Sequence, residues 1–242
     1  MSVELVAWTT VAGTSQESLD CWAALLGRWT EPHRRYHGIG HLSAVLLFID
    51  EYADHAADAD AVRLAAWYHD AIYDPQASDN EERSAAMAQS QLGALGLPGE
   101  RVDEVARLVR LTTGHDPAEG DRNGELLNDA DLMVLASPPE AYVAYLNAIR
   151  DEYAHVSDAD FQAGRTAVLD ALLAAPRLYR LEALAPMQAA ARRNMTAELS
   201  LLRPDPEDGA PSDAYLGGPG ADAAAAGDAD RHREGPPGPR VR

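Results

Sequence analysis

The sequence predicts an all-α fold, and three observations carry that prediction. Apolar residues recur three and four positions apart over most of residues 14–203, which is the period of one helix face. No stretch alternates apolar and polar residues convincingly enough to read as a strand. Pro138, Pro139, Pro176 and Pro186, with Gly96 and Gly114, stand at the edges of the periodic stretches, where a proline starts a helix or forbids its continuation.

The elements follow in order. Thr14 and Ser15 are caps for a helix whose face is Leu19, Trp22, Leu26 and Trp29. Leu42, Val45, Leu46 and Ile49 form the stripe of a second. Val62, Ala65, Ala66 and Trp67 follow Asp60 in a third, and Ser84, Met87, Gln91 and Leu95 define a fourth that stops at Gly96. Val102, Val105, Leu108, Val109 and Thr112 make a fifth ending at Gly114, and three or four more fit 125–136, 139–153, 158–174 and 186–202. The expectation is one helical domain of about eight or nine helices over 14–203, long enough for a sizeable core. Residues 1–13 read as a short extended lead-in. Residues 204–242 hold 7 prolines and 7 glycines with almost nothing to bury, the composition of a disordered tail.

Charge and composition narrow the function. The formal charge is −19, from 39 acidic and 20 basic residues. All the basic residues are arginine, which removes Schiff-base lysines, pyridoxal-phosphate anchors and phosphate-binding-loop lysines. So acidic a surface repels a phosphate backbone, and no nucleic-acid partner is expected; a small, shielded anionic substrate remains compatible. No apolar run is long enough to cross a bilayer, so no membrane partner is expected. Cys21 stands alone and the first residues lack a signal-peptide pattern, which together lead us to expect a reduced, cytoplasmic protein. Oligomeric state is not legible.

The chemistry gathers around His69-Asp70, at the end of the apolar stretch AAWYHDAIYDP. Adjacent helical side chains point about 100° apart, so the pair reaches one point only at a helix end or across a cleft. Upstream, His37 and His41 stand four apart in RRYHGIGHLSAV. Downstream, Asp129 and Asp131 lie in the apolar LLNDADLMVL, where a carboxylate is costly unless paired or bound to a cation. Two apart on a helix, they face nearly opposite ways, so one of them at most joins a shared ion. His41, His69, Asp70 and one late acid form a mixed nitrogen and oxygen set suited to manganese, iron, cobalt or zinc. His33, His55, His155 and His232 read as surface residues, and Trp22, Trp29 and Trp67 as core.

The order His41, His69-Asp70, Asp131 resembles the H…HD…D signature of the HD-domain superfamily of metal-dependent phosphohydrolases. RRYHGIGHL, AWYHDAIYDP, SDNEERSA, LTTGHD, NDADLMVL, IRDEYAHV, FQAGR and ARRNMTAEL are similar, in order, to blocks of its bacterial subfamily of predicted metal-dependent HD phosphohydrolases, over about residues 28–201. Gly38 and Ala136 depart from the asparagine and glycine of that pattern. The resemblance implies His41, His69, Asp70 and Asp131 as metal ligands, Asp131 being preferred to Asp129. It implies a divalent ion (Mn, Co, Mg, Fe or Zn) that activates a water against a phosphate ester or anhydride of a small molecule, a nucleotide first. Asp70 takes the water's proton, and Glu81, or else Glu82, assists. Arg34, His37, His115, Arg150 and Arg165, with Arg193 as a further candidate, are expected to face the phosphoryl group. Two alternatives come from other classes: a di-iron HD-fold oxygenase using His37 and His115, and a non-catalytic nucleotide-binding module.

Overall fold

The computed structural model describes residues 3–203, and the expected disordered tail at 204–242 lies outside them. Among the described residues there are ten α-helices and no strand. They are α1 (Val3–Ala12), α2 (Gln16–Trp29), α3 (Ile39–Glu51), α4 (Ala59–Tyr68), α5 (Asn80–Ala94), α6 (Gly99–Leu111), α7 (Arg122–Leu132), α8 (Pro139–Glu152), α9 (Asp158–Ala174) and α10 (Ala185–Leu202). Short 3-10 turns occupy Ala53–His55, Met133–Ala136 and Glu182–Leu184. None of these helices is long and apolar enough to cross a membrane.

The lead-in is the one element that departs from expectation, because residues 3–12 are helical rather than extended. Thr9, Thr10 and Val11 are β-branched and disfavour a helix locally, but burial of Trp8 outweighs them. Its indole is fully buried, donates from Nε1 to Ser18 O at 3.0 Å and Ser18 Oγ at 2.9 Å, and meets Trp67 edge-on at 5.5 Å. Trp8→Ala is therefore expected to cost about 3–5 kcal/mol and to lower Tm by roughly 10 °C. Thermal denaturation checks this, and a shift within about 1 °C would show that α1 does not contribute to the core.

The core is arranged around α4. Ala61, Val62, Leu64, Ala65, Ala66, Trp67 and Tyr68 are all sealed from solvent, so from Leu64 onward this helix is wrapped on every side. Its alanines let α1, α3, α5, α6 and α7 approach closely. Asp58 caps its start by accepting from Ala61 N at 3.0 Å. Its C-terminal end therefore emerges in the middle of the molecule, and the next two residues are His69 and Asp70.

Candidate metal centre

Four elements bring the polar residues together. α4 ends on His69-Asp70, α3 offers His41 in its first turn, α7 offers Asp131 in its last, and the turn after α6 offers His115. His41 Nε2 lies 3.2 Å from His69 Nε2 and 3.1 Å from Asp131 Oδ1. His69 Nε2 is 3.3 Å from Asp70 Oδ2 and 3.6 Å from Asp131 Oδ1. Donor atoms of His41, His69 and Asp131 all fall within 4.8 Å of one another, and Asp70 borders this trio through His69.

The tautomer of His69 shows what the cluster lacks. Its Nδ1 sits 2.8 Å from Ala66 O, and a carbonyl only accepts, so Nδ1 carries the proton and Nε2 turns a lone pair inward. That lone pair faces two carboxylates and a second imidazole in a largely buried site. Electron-rich atoms at these distances need positive charge among them, either a proton or a cation. Burial works against a proton on His69, yet Asp70 and Asp131 outweigh it and raise the ring to about 9. His41 is pushed down by its burial. Burial alone would raise Asp131, but the His69, His41 and His115 rings hold its carboxyl well below the usual carboxylate range. A divalent ion satisfies the same atoms, and two imidazoles with carboxylate oxygen are a donor set for manganese, iron, cobalt or zinc.

Cation uptake must then displace the proton that His69 holds. At pH 7 about one proton per chain is expected to leave, and the apparent affinity should rise about tenfold per pH unit until pH nears 9. Calorimetry in buffers of different ionisation enthalpy measures this, and zero proton release would show His69 neutral beforehand.

The HD-domain family matches residues 38–158, half of the chain. This chain belongs to the HD-domain family. HD domains bind divalent metals, and the family is generally one of metal-dependent phosphohydrolases. Neither a curated protein nor a solved structure gives a match.

Within this HD domain the two late acids have separate work. Asp129, fully buried, accepts from Arg180 N at 2.8 Å, from Leu181 N at 2.7 Å and from Asn128 Nδ2 at 3.0 Å. It therefore anchors the segment before α10, and Asp131 alone faces the histidines. The glutamates divide likewise. Glu82 points outward to Arg110 at 2.6 Å, whereas Glu81 lines the cavity beside the cluster.

That cavity, of about 180 Å³, is lined by Asp70, Asp131, Glu81, His37, His115 and Arg165 among its polar groups. His115 has a left-handed backbone, φ 51°, which is strained for a residue with a side chain. The ring it presents has Nε2 3.7 Å from Asp131 Oδ2 and a buried Nδ1 without a hydrogen-bond partner among the described residues.

The expected arginines need correction. Arg34 is buried and its guanidinium is engaged at every nitrogen: Nη1 donates to His37 O at 2.9 Å and Asp70 O at 2.8 Å, Nη2 to Ala71 O at 3.3 Å, and Nε to Glu31 Oε2 at 3.2 Å. It clamps the two histidine-bearing loops together instead of meeting substrate. Arg150 lines a different hollow and donates to Tyr153 O at 2.6 Å, Val156 O at 3.1 Å and Asp158 Oδ1 at 2.6 Å. Arg193 is exposed on α10. Arg165 does line the cavity, but its Nε and Nη2 are bound to Glu198 at 2.7 and 3.2 Å.

One residue that the sequence reading passed over organises this edge. Glu152, at the end of α8, accepts at Oε1 from the backbone N–H of Arg35 (2.7 Å), Tyr36 (2.8 Å) and His37 (3.0 Å). Its Oε2 accepts from His37 Nδ1 at 2.7 Å and Tyr73 Oη at 2.8 Å. Burial would raise this carboxyl, but the His37 ring and the backbone donors hold it at about 2. The only signal in the sequence was its place in the IRDEYAHV block.

Proposed function

We propose that this protein is a metal-dependent phosphohydrolase that cleaves a phosphate ester or anhydride of a small molecule, with nucleotides the first class to test, in the reducing cytoplasm. The observation that carries the reading is the convergence of His41, His69 and Asp131 beside Asp70, at the wall of a cavity that also receives His37, His115 and Glu81. A divalent ion held there supplies Lewis acidity and lowers the pKa of water to near neutrality.

The chain's own groups do the rest. Asp70, which lines the cavity, is placed to accept a proton from the attacking water. Glu81, on the first turn of α5, orients that water from the cavity wall. His37 and His115 approach from other sides and donate, when cationic, to phosphoryl or leaving-group oxygens as charge develops there. The Glu152 carboxylate fixes which His37 nitrogen is presented, since Nδ1–H is engaged and Nε2 remains.

The test is metal analysis of the purified protein beside its His69→Ala variant, with phosphate release measured on a panel of nucleotides and sugar phosphates supplied with manganese, cobalt or magnesium. About one divalent ion per chain, lost together with activity in the variant, is expected. Absence of phosphate release across the panel would sink the proposal. The third imidazole near Asp131, that of His115 on its other oxygen, favours one competing reading in particular: two irons per chain with oxygen consumption would assign an oxygenase. Nucleotide binding without turnover would assign a sensor.

A further inference from the structure

We infer that the substrate carries a single phosphate on an apolar or aromatic body and is not a di- or triphosphate; the inference rests on the phosphohydrolase reading above. It comes from the chemistry of the cavity lining, which divides sharply. Around the cluster stand three carboxylic acids, Asp70, Glu81 and Asp131, with His37 and His115. An aliphatic stretch of the wall comes from Leu132 at the end of α7, Val134 and Leu135 in the turn after it, and Val168 and Leu172 on α9. Tyrosine rings lie between, Tyr36 meeting Tyr145 edge-on at 4.7 Å.

Positive charge for a phosphate chain is missing from that lining. The sequence has no lysine, and Arg165 is the one arginine among the described residues that line the cavity. Both its paired nitrogens are taken by Glu198, which also accepts from Tyr142 Oη at 2.6 Å. The pair is buried and internally neutral. The remaining lining residues Ala77, Ser78, Asn80, Thr112 and Thr113 carry no charge. One phosphoryl group is matched by a divalent ion with His37 and His115. Each further phosphate would bring negative charge toward three acids and an aliphatic wall with nothing to neutralise it, a cost that a low-dielectric pocket magnifies. An aromatic or aliphatic body, by contrast, gains from leaving water for that wall and from edge contacts with the tyrosines.

Phosphonates are not hydrolysed, so they report binding apart from turnover. With manganese in excess, calorimetry should show phenylphosphonate binding the full-length protein at least about tenfold tighter than methylphosphonate, and phosphonoacetate no tighter than methylphosphonate. A nucleoside monophosphate should be cleaved with kcat/KM at least about tenfold above that of its triphosphate. Val168 is half-buried, so Val168→Arg is tolerated and should move the preference at least about fivefold toward phosphonoacetate. Phosphonoacetate binding tighter than phenylphosphonate, or a triphosphate cleaved as well as its monophosphate, would overturn this inference and leave the phosphohydrolase standing. Manganese binding with no phosphonate bound and no phosphate released would overturn both.

Discussion

Asp131→Asn is expected to abolish cation binding and lower phosphate release at least about a thousandfold while the protein stays folded, whereas Asp129→Asn should leave the metal and unsettle the fold. The two acids are two residues apart on α7, and their surroundings separate them. Asp131 Oδ1 is within 3.1 Å of His41 Nε2 and 3.6 Å of His69 Nε2. An amide there preserves shape and removes the anionic ligand, so the loss falls on metal affinity and on transition-state stabilisation. Asp129 makes no approach to the histidines and instead receives the backbone N–H groups of Arg180 and Leu181 on its two oxygens. An amide turns one acceptor into a donor that faces another donor. Losing one or two charge-assisted hydrogen bonds in a dry site costs about 3 kcal/mol, or roughly 10 °C in Tm. Metal equivalents and thermal denaturation on the two variants decide the matter. If Asp129→Asn loses the ion and Asp131→Asn keeps it, the ligand assignment is reversed.

Much of this was legible in the sequence, for a physical reason that also marks where legibility ends. The eight or nine helices expected between residues 14 and 203 correspond to α2 through α10, because a helix face is written at local spacing. The acids of α7 stood out because carboxylates in an apolar stretch require partners. α1 did not, since its local propensity is poor and its support comes from Trp67, far along the chain. The arginines were misjudged for the same reason. A guanidinium on a long stem reaches partners in any direction, and its choice among backbone carbonyls, a carboxylate or a substrate is settled by packing at long sequence distance. Arg34 finds Asp70 O 36 residues away and Arg165 finds Glu198 33 residues away. Arginine content thus showed that cations were present without showing that these two were already engaged.

Glu152 is the residue in which long-range packing, stability and chemistry meet, and its removal should be felt in all three. Glu152→Gln keeps one carbonyl oxygen for the loop N–H groups but sets an NH2 against His37 Nδ1–H and Tyr73 Oη–H, which in the native protein both donate to the carboxylate's second oxygen. The folded-state value of about 2, against 4.5 for an ordinary glutamate, makes the carboxylate worth about 3 kcal/mol at neutral pH. Because the folded value is depressed, that contribution is complete above about 4.5 and drains away as pH falls toward 2. Urea denaturation should therefore show the variant about 3 kcal/mol less stable at pH 7, with the gap closing through the acid range. His37 would lose the anchor that presents its Nε2 to the cavity, so kcat should fall at least about tenfold while metal content is unchanged. Metal retention separates this positioning role from damage to the cluster, and the pH dependence separates it from a loss of packing, which would leave the same gap at every pH.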